Sequence, residues 1–154
     1  MQVTEGYFYG PLSMAVDSAG MPRIVWHDHQ SDQFNPELGD QALATLRDGL
    51  WVKEFIENSG HDGWDNSIAL DSAGGIWTAS IYPSEFGATT AVYMSHFDGS
   101  GWSGESIGSL AMTYKFGTSI AVDSRNRPHV AFYNEKKQAL NYATRDGADW
   151  KLAT

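Results

Sequence analysis

The chain has 154 residues, enough for one domain with its own core and too few for two ordinary ones. Nineteen acidic against ten basic residues, a formal charge of −9, argue against a nucleic-acid surface, which needs clustered Lys and Arg. Cysteine is absent, which excludes disulfides and thiolate-held metals, and no apolar run approaches a membrane span.

The chain begins MQVTEGYFYG, which lacks the basic start and apolar stretch of a secretory leader; the sequence assigns no compartment. Residues 13–28 then read SMAVDSAGMPRIVWHD. The polar segment HDHQSDQFNPELGD (27–40) follows, and the unit closes on RDGLW (47–51). A second unit opens with HDGWDN (61–66), gives the phrase SIALDSAGGIWTASIY (67–82), continues through YPSEFGATT (82–90) and closes on FDGSGW (97–102). The third opens with AMTYKFG (111–117), gives SIAVDSRNRPHVAFYN (119–134), has a short NEKKQ (134–138) and closes on RDGADW (145–150). The marker residues Asp17, Asp71 and Asp123 lie 54 and 52 positions apart. Two independent markers in the same order, three times over, establish an internal repeat.

Each unit reads as four short strands. In the third these are TSIAVD, RPHVAFY, ALNYATR and DWKLAT. The first strand ends at Asp-Ser with Gly or Asn close behind, a sequence that closes an Asx turn and tolerates positive φ. The third ends at Asp-Gly, a strong hairpin signal. Four antiparallel strands in a unit of this length define an all-β protein, a β-propeller with one blade per repeat. The blades are expected at about 10–57, 64–108 and 117–154. Asp17, Asp71, Asp123, Asp48, Asp98 and Asp146 are expected to form turns, and Trp51, Trp102 and Trp150 to pack between blades.

Three blades fall short of the four to eight or so that close a ring. Joining residue 154 to residue 1 of a second copy sets Trp150 and the next Asp17 21 positions apart. Within the chain the matching spacings are 20 (Trp51 to Asp71) and 21 (Trp102 to Asp123). The frame is kept, so a self-assembled homodimer of six blades is expected, residues 1–9 completing a seam with the partner's C-terminus. A fragment excised from a longer single-chain propeller is the alternative, and a purely structural or engineered assembly, whose only function is to close, is a further reading.

The repeat resembles bacterial propeller arrays of the IAVDSxGxPHIAYYD…LxYATxDGxW type. A fainter resemblance is to the six-bladed fucose-binding lectins, in which short chains of a few blades complete a ring and a turn like FDGSGW recurs. That second resemblance implies oligomeric closure and lectin-like carbohydrate binding. It also implies a sugar-reading Arg on the second strand and Glu on the third. Arg23 occupies the second-strand position in unit one, Trp77 and His129 in units two and three, and no third strand carries Glu.

The loops between strands two and three and between blades open on one face, and they depart most from the repeat. They carry Tyr7, Tyr9, Trp64, Asp65, Tyr82, Tyr114 and Asn134, a mixture of rings and polar groups suited to a glycan or to a protein partner. His27, Asp28 and His29 form the sharpest local cluster. Alternate residues of a strand point the same way, so His27 and His29 are weak candidates for one metal ion, with Asp32 or Asp65 completing the set. No nucleophile elbow, phosphate loop or dinucleotide fingerprint is present. The reading is therefore a non-enzymatic binding module without a cofactor, its partners a second copy and a glycan or protein, with no nucleic acid and no membrane. A metal-assisted hydrolase or lyase around His27 and His29 is the alternative from another class.

Overall fold

The computed structural model describes residues 3, 8–29, 39–56, 63–83, 90–110, 117–134 and 137–154. Among these residues all regular structure is strand. The first sheet comprises β1 (Phe8–Val16), β2 (Pro22–Asp28), β3 (Asp40–Arg47) and β4 (Leu50–Phe55). The second comprises β5 (Trp64–Leu70), β6 (Ile76–Pro83), β7 (Thr90–Phe97) and β8 (Trp102–Leu110), and the third β9 (Thr118–Val122), β10 (Pro128–Asn134), β11 (Ala139–Asp146) and β12 (Asp149–Ala153). Each sheet is an antiparallel meander in chain order. β1, β5 and β9 pack side by side as inner strands, so the three sheets are successive blades of a propeller.

The turn chemistry explains why the strands begin and end where they do. Asp17 Oδ1 accepts hydrogen bonds from the amides of Ala19 and Met21 at 2.9 and 2.8 Å. Asp71 does the same for Ala73 and Gly75, and Asp123 for Arg125 and Arg127. The left-handed residue that this turn requires is Gly20, Gly74 or Asn126, with φ of 80°, 88° and 60°. At the other hairpin of blade one, Asp48 and Gly49 both take positive φ, 51° and 78°, which matches the twist of the paired strands.

Two apolar seams join the blades. Val25, Leu43 and Ile56 of blade one meet Ile68 and Ile76 of blade two, with Ala15, Leu70, Phe97 and Trp102 packed around them. Trp77, Ala79, Val92, Met94 and Ile107 of blade two meet Val130, Phe132 and Ala143 of blade three, where Trp150 also packs. Trp102 and Trp150 thus line these two seams. Trp51 packs instead with Trp26, Ala42 and Ala44 on the outward face of blade one.

Candidate functional site

The blades expose two ends. One carries the short hairpins between β1 and β2, and between β3 and β4, with their equivalents. The opposite, loop end carries the longer connections.

At the loop end, between blades one and two, the chain gathers several of the predicted residues. The ring centroids of His27 and His29 are 4.7 Å apart, edge to face, and Trp64 lies tilted 4.6 Å from His27. All three are buried, at 1%, 5% and 7% exposure. Beneath them Gln41 Nε2 donates to Asn66 Oδ1 at 2.6 Å, and Thr78 Oγ1 donates to Gln41 Oε1 at 3.2 Å. Gly63 is required here, because a Cβ on it would lie 2.7 Å from Gln41 Cα. Fully buried Asp28 accepts a 2.6 Å hydrogen bond from Lys53 Nζ. This is a packed polar layer that fastens one blade to the next, and its rings face protein.

The other predicted residues are dispersed. Asp65 is half-buried in the left-handed region at φ 50°, where its backbone carbonyl accepts from Thr118 and burial raises its carboxyl above the usual range. Tyr82 lies 5.8 Å from Tyr93 on the neighbouring strand. Buried Asn134 accepts the Lys137 amide. The backbone of Tyr9 pairs with that of His27, while Tyr7, Tyr114 and Asp32 lie outside the described residues. Among the described residues no group of three or more His, Asp or Glu is placed to hold a metal ion.

A second feature lies at the hairpin end, between blades two and three. An open cleft of about 290 Å³ is lined by Trp77, His96, Asn126, Arg127, Pro128, Arg145 and Gly147. It adjoins a smaller hollow of about 230 Å³ that shares Trp77, His96 and Arg145 and adds Met94, Ser103, Gly104 and Glu105. His96 stacks on Trp77 at 3.8 Å and 16°. Trp77 Nε1 donates to Asp71 Oδ2 at 3.3 Å, which fixes the indole. Partial burial lowers the pKa of His96 despite the nearby Asp71 carboxylate, so the imidazole is neutral near pH 7. Arg145 reaches across the seam to Glu105 at 3.1 Å. Both partners of this pair are substantially exposed, so it adds at most about 1 kcal/mol to stability and leaves a donor fork and an acceptor at the cleft mouth.

The cleft belongs to this seam because of residue choice. Blade three places Arg145 before its Asp-Gly turn, whereas blade two has Phe97 there. Phe97 packs with Trp102 at 5.4 Å and joins the apolar seam with blade one. On the facing strands, Trp77 stands where blade one has Arg23, which is tied to Asp17 at 2.7 Å. The sequence marks Trp77 as a departure from the repeat; it gives no sign that His96, Arg145 and Glu105 converge on it across a seam.

No protein-family model matches the chain, and no curated protein matches it. Solved structures match its fold. A fucose lectin from Kordia zhangzhouensis in complex with methyl-fucoside superposes with a TM-score of 0.60 at 17% identity, over 94% of this chain and 98% of the lectin chain. The α-L-arabinofuranosidase Arb93A from Fusarium graminearum matches with a TM-score of 0.68 at 11% identity, and the Penicillium chrysogenum α-L-arabinanase complexed with arabinobiose with 0.67 at 9%. This chain spans 47% of each of those two chains. At these identities the likeness is one of fold, and that fold is the propeller.

Proposed function

We propose that the protein is a non-enzymatic, glycan-binding propeller module, and that the cleft between blades two and three is where it holds a sugar. The observation that carries this reading is the cleft itself. Partly exposed His96, stacked on buried Trp77, gives it a flat ring, and Arg145 with Glu105 a donor and an acceptor side by side. A sugar hydroxyl both donates and accepts, and a sugar's C–H face packs on rings, so a saccharide unit uses each of these groups. At about 290 Å³ the cleft lies near the lower end of ligand pockets, roughly 300 Å³, a size for one saccharide residue. The similarity in fold to a lectin solved with methyl-fucoside supports the same substrate class. The loop-end residues enter as a second contact surface, on which Asp65 and Tyr82 are the half-buried candidates among the described residues.

Ring closure by a second copy belongs to the same reading. Support comes from the count of three blades among the described residues and from structures of similar fold in chains about twice as long.

A glycan array followed by titration calorimetry tests the binding proposal, with methyl-fucoside and arabinobiose as defined probes beside the array hits. Trp77→Ala, His96→Ala and Arg145→Ala are each expected to weaken the best ligand at least tenfold, about 1.4 kcal/mol, while Tyr82→Ala changes it less. An array without hits on well-folded protein would contradict the sugar assignment. Stoichiometric zinc, manganese or iron in purified protein would favour the hydrolase or lyase reading at His27 and His29.

A further inference from the structure

The inner strands at the two ends of the blade row expose opposite faces. On β1, Leu12, Met14 and Val16 are 67%, 58% and 54% exposed, while the alternating Ser13 and Ala15 are partly buried toward blade two. On β9 the phase is reversed: Ser119 and Ala121 are exposed, while Thr118, Ile120 and Val122 are turned toward blade two. The central β5 uses both faces. Its Ile68 and Leu70 pack on blade one, and its Ser67 meets Thr118 of blade three, Oγ to Oγ1 at 2.9 Å.

The two internal seams therefore share one recipe. A blade presents the small pair Ser-Ala from one face of its inner strand, and the next blade answers with two large apolar residues. The pairs are Ser13 and Ala15 against Ile68 and Leu70, then Ser67 and Ala69 against Ile120 and Val122. The exposed faces are the unmated halves of a third such seam, with Ser119 and Ala121 on blade three and Met14 and Val16 on blade one. Exposed Leu140 and Tyr142 of β11 extend the first half. The other half is partly covered from within the chain, since Val3 packs with Trp26, Ala42 and Ala44. The apolar area left for a partner is centred on Leu12, Met14 and Val16.

We infer that the occupant of these faces is a second copy of this chain, docked head to tail. The blade-three face of each copy lies on the blade-one face of the other, and two identical heterologous seams close the ring. This rests on the ring-closing reading and adds to it which faces meet and which residues touch. A face-to-face pairing of blade three with blade three would set Ser-Ala against Ser-Ala and bury little. A head-to-tail contact that failed to close would grow a filament, whereas three blades per copy close after two.

Cysteine placement tests the arrangement, because the chain contains none of its own. Ser119 corresponds to Ser67 and Leu12 to Thr118, the pair in direct contact inside the chain. Under oxidation the double variant Ser119→Cys/Leu12→Cys is expected to run as a covalent dimer on non-reducing gels, and each single variant as a monomer. Met14→Lys in the unsubstituted chain is expected to yield monomers of unchanged circular dichroism. If light scattering shows dimers yet Ser119→Cys alone cross-links fully, or the double variant does not, the head-to-tail seam is wrong while ring closure stands. If the unsubstituted protein is a monomer, both fail.

Discussion

Asp123 ties three levels of structure together with one carboxylate. Its Oδ1 closes the turn by accepting the Arg125 and Arg127 amides, and its Oδ2 takes Arg127 Nε at 2.8 Å and sits 3.3 Å from His129 Nε2. These bonds, Arg127's foremost, hold the acid well below its ordinary value of 3.8. Asp98 is held at about 2 by the Ser100 hydroxyl and then the Ser100 and Gly101 amides. A carboxylate with a depressed folded pKa stabilises the fold above its unfolded value, and that contribution is lost as pH falls toward the folded value. Asp123→Asn is therefore expected to lower the thermal midpoint at pH 7 and to show a shallower loss of stability below about pH 4 than the parent, measured by calorimetry across pH. Asp65 carries the opposite sign. Burial raises its pKa, its Oδ2 has no hydrogen-bond partner among the described residues, and stability falls as pH rises through its titration. Asp65→Asn keeps a side chain that tolerates the left-handed backbone, so the midpoint should rise at pH 7 and converge with the parent near pH 4. The turn role of the Asp-Ser and Asp-Gly aspartates was legible in the sequence because the chemistry is local: carboxylate, amide and left-handed residue lie within four positions. Burial of Asp65 was not, because it depends on a neighbouring blade.

At the scale of strands and sheets, the repeat predicts four strands per unit, and the structure has them, because period and turn chemistry agree. The sequence puts the ligand at the loop end; what it does not show is which of the residues there stay accessible. His27, His29 and Trp64 read as loop residues, yet they lie where one blade packs on the next, and the seam buries them. The hairpin-end cleft forms from residues spread over four strands of two blades (Trp77, His96, Glu105 and Arg145 lie 19, 9 and 40 positions apart in turn), so no local pattern joins them. Gly63 shows how tightly the loop-end layer is built. Its φ is 79°, and a Cβ would press into the Gln41 backbone. Gly63→Ala should cost more than about 1 kcal/mol in urea unfolding, through both backbone strain and displacement of the Gln41–Asn66–Thr78 network. His96 belongs to the same scale. Its lowered pKa means that the folded protein takes up its proton less readily than the unfolded chain, so stability falls as pH drops below the ordinary 6.5. Protonation would also place a cation beside Arg145, and ligand binding at the cleft should weaken as pH falls below the ordinary 6.5 in the parent but not in His96→Gln.

The whole molecule is governed by an arithmetic of faces. Every inner strand carries a small pair on one side and a large pair on the other, and three blades satisfy two of the three seams that this pattern writes. Exposed Leu12, Met14 and Val16 at one end, with Leu140 and Tyr142 at the other, are the remainder. Burying apolar surface is worth roughly 25 cal/mol per Å², so faces of this kind drive association until they are covered. The cleft proposed for a sugar lies at one of these seams, so the proposed assembly and recognition draw on one architecture. The absolute mass in solution, by light scattering on a sizing column at micromolar protein, is the most direct test. Ring closure by a second copy predicts twice 16.9 kDa, unchanged on dilution across the accessible range. A stable monomer of 16.9 kDa would contradict it.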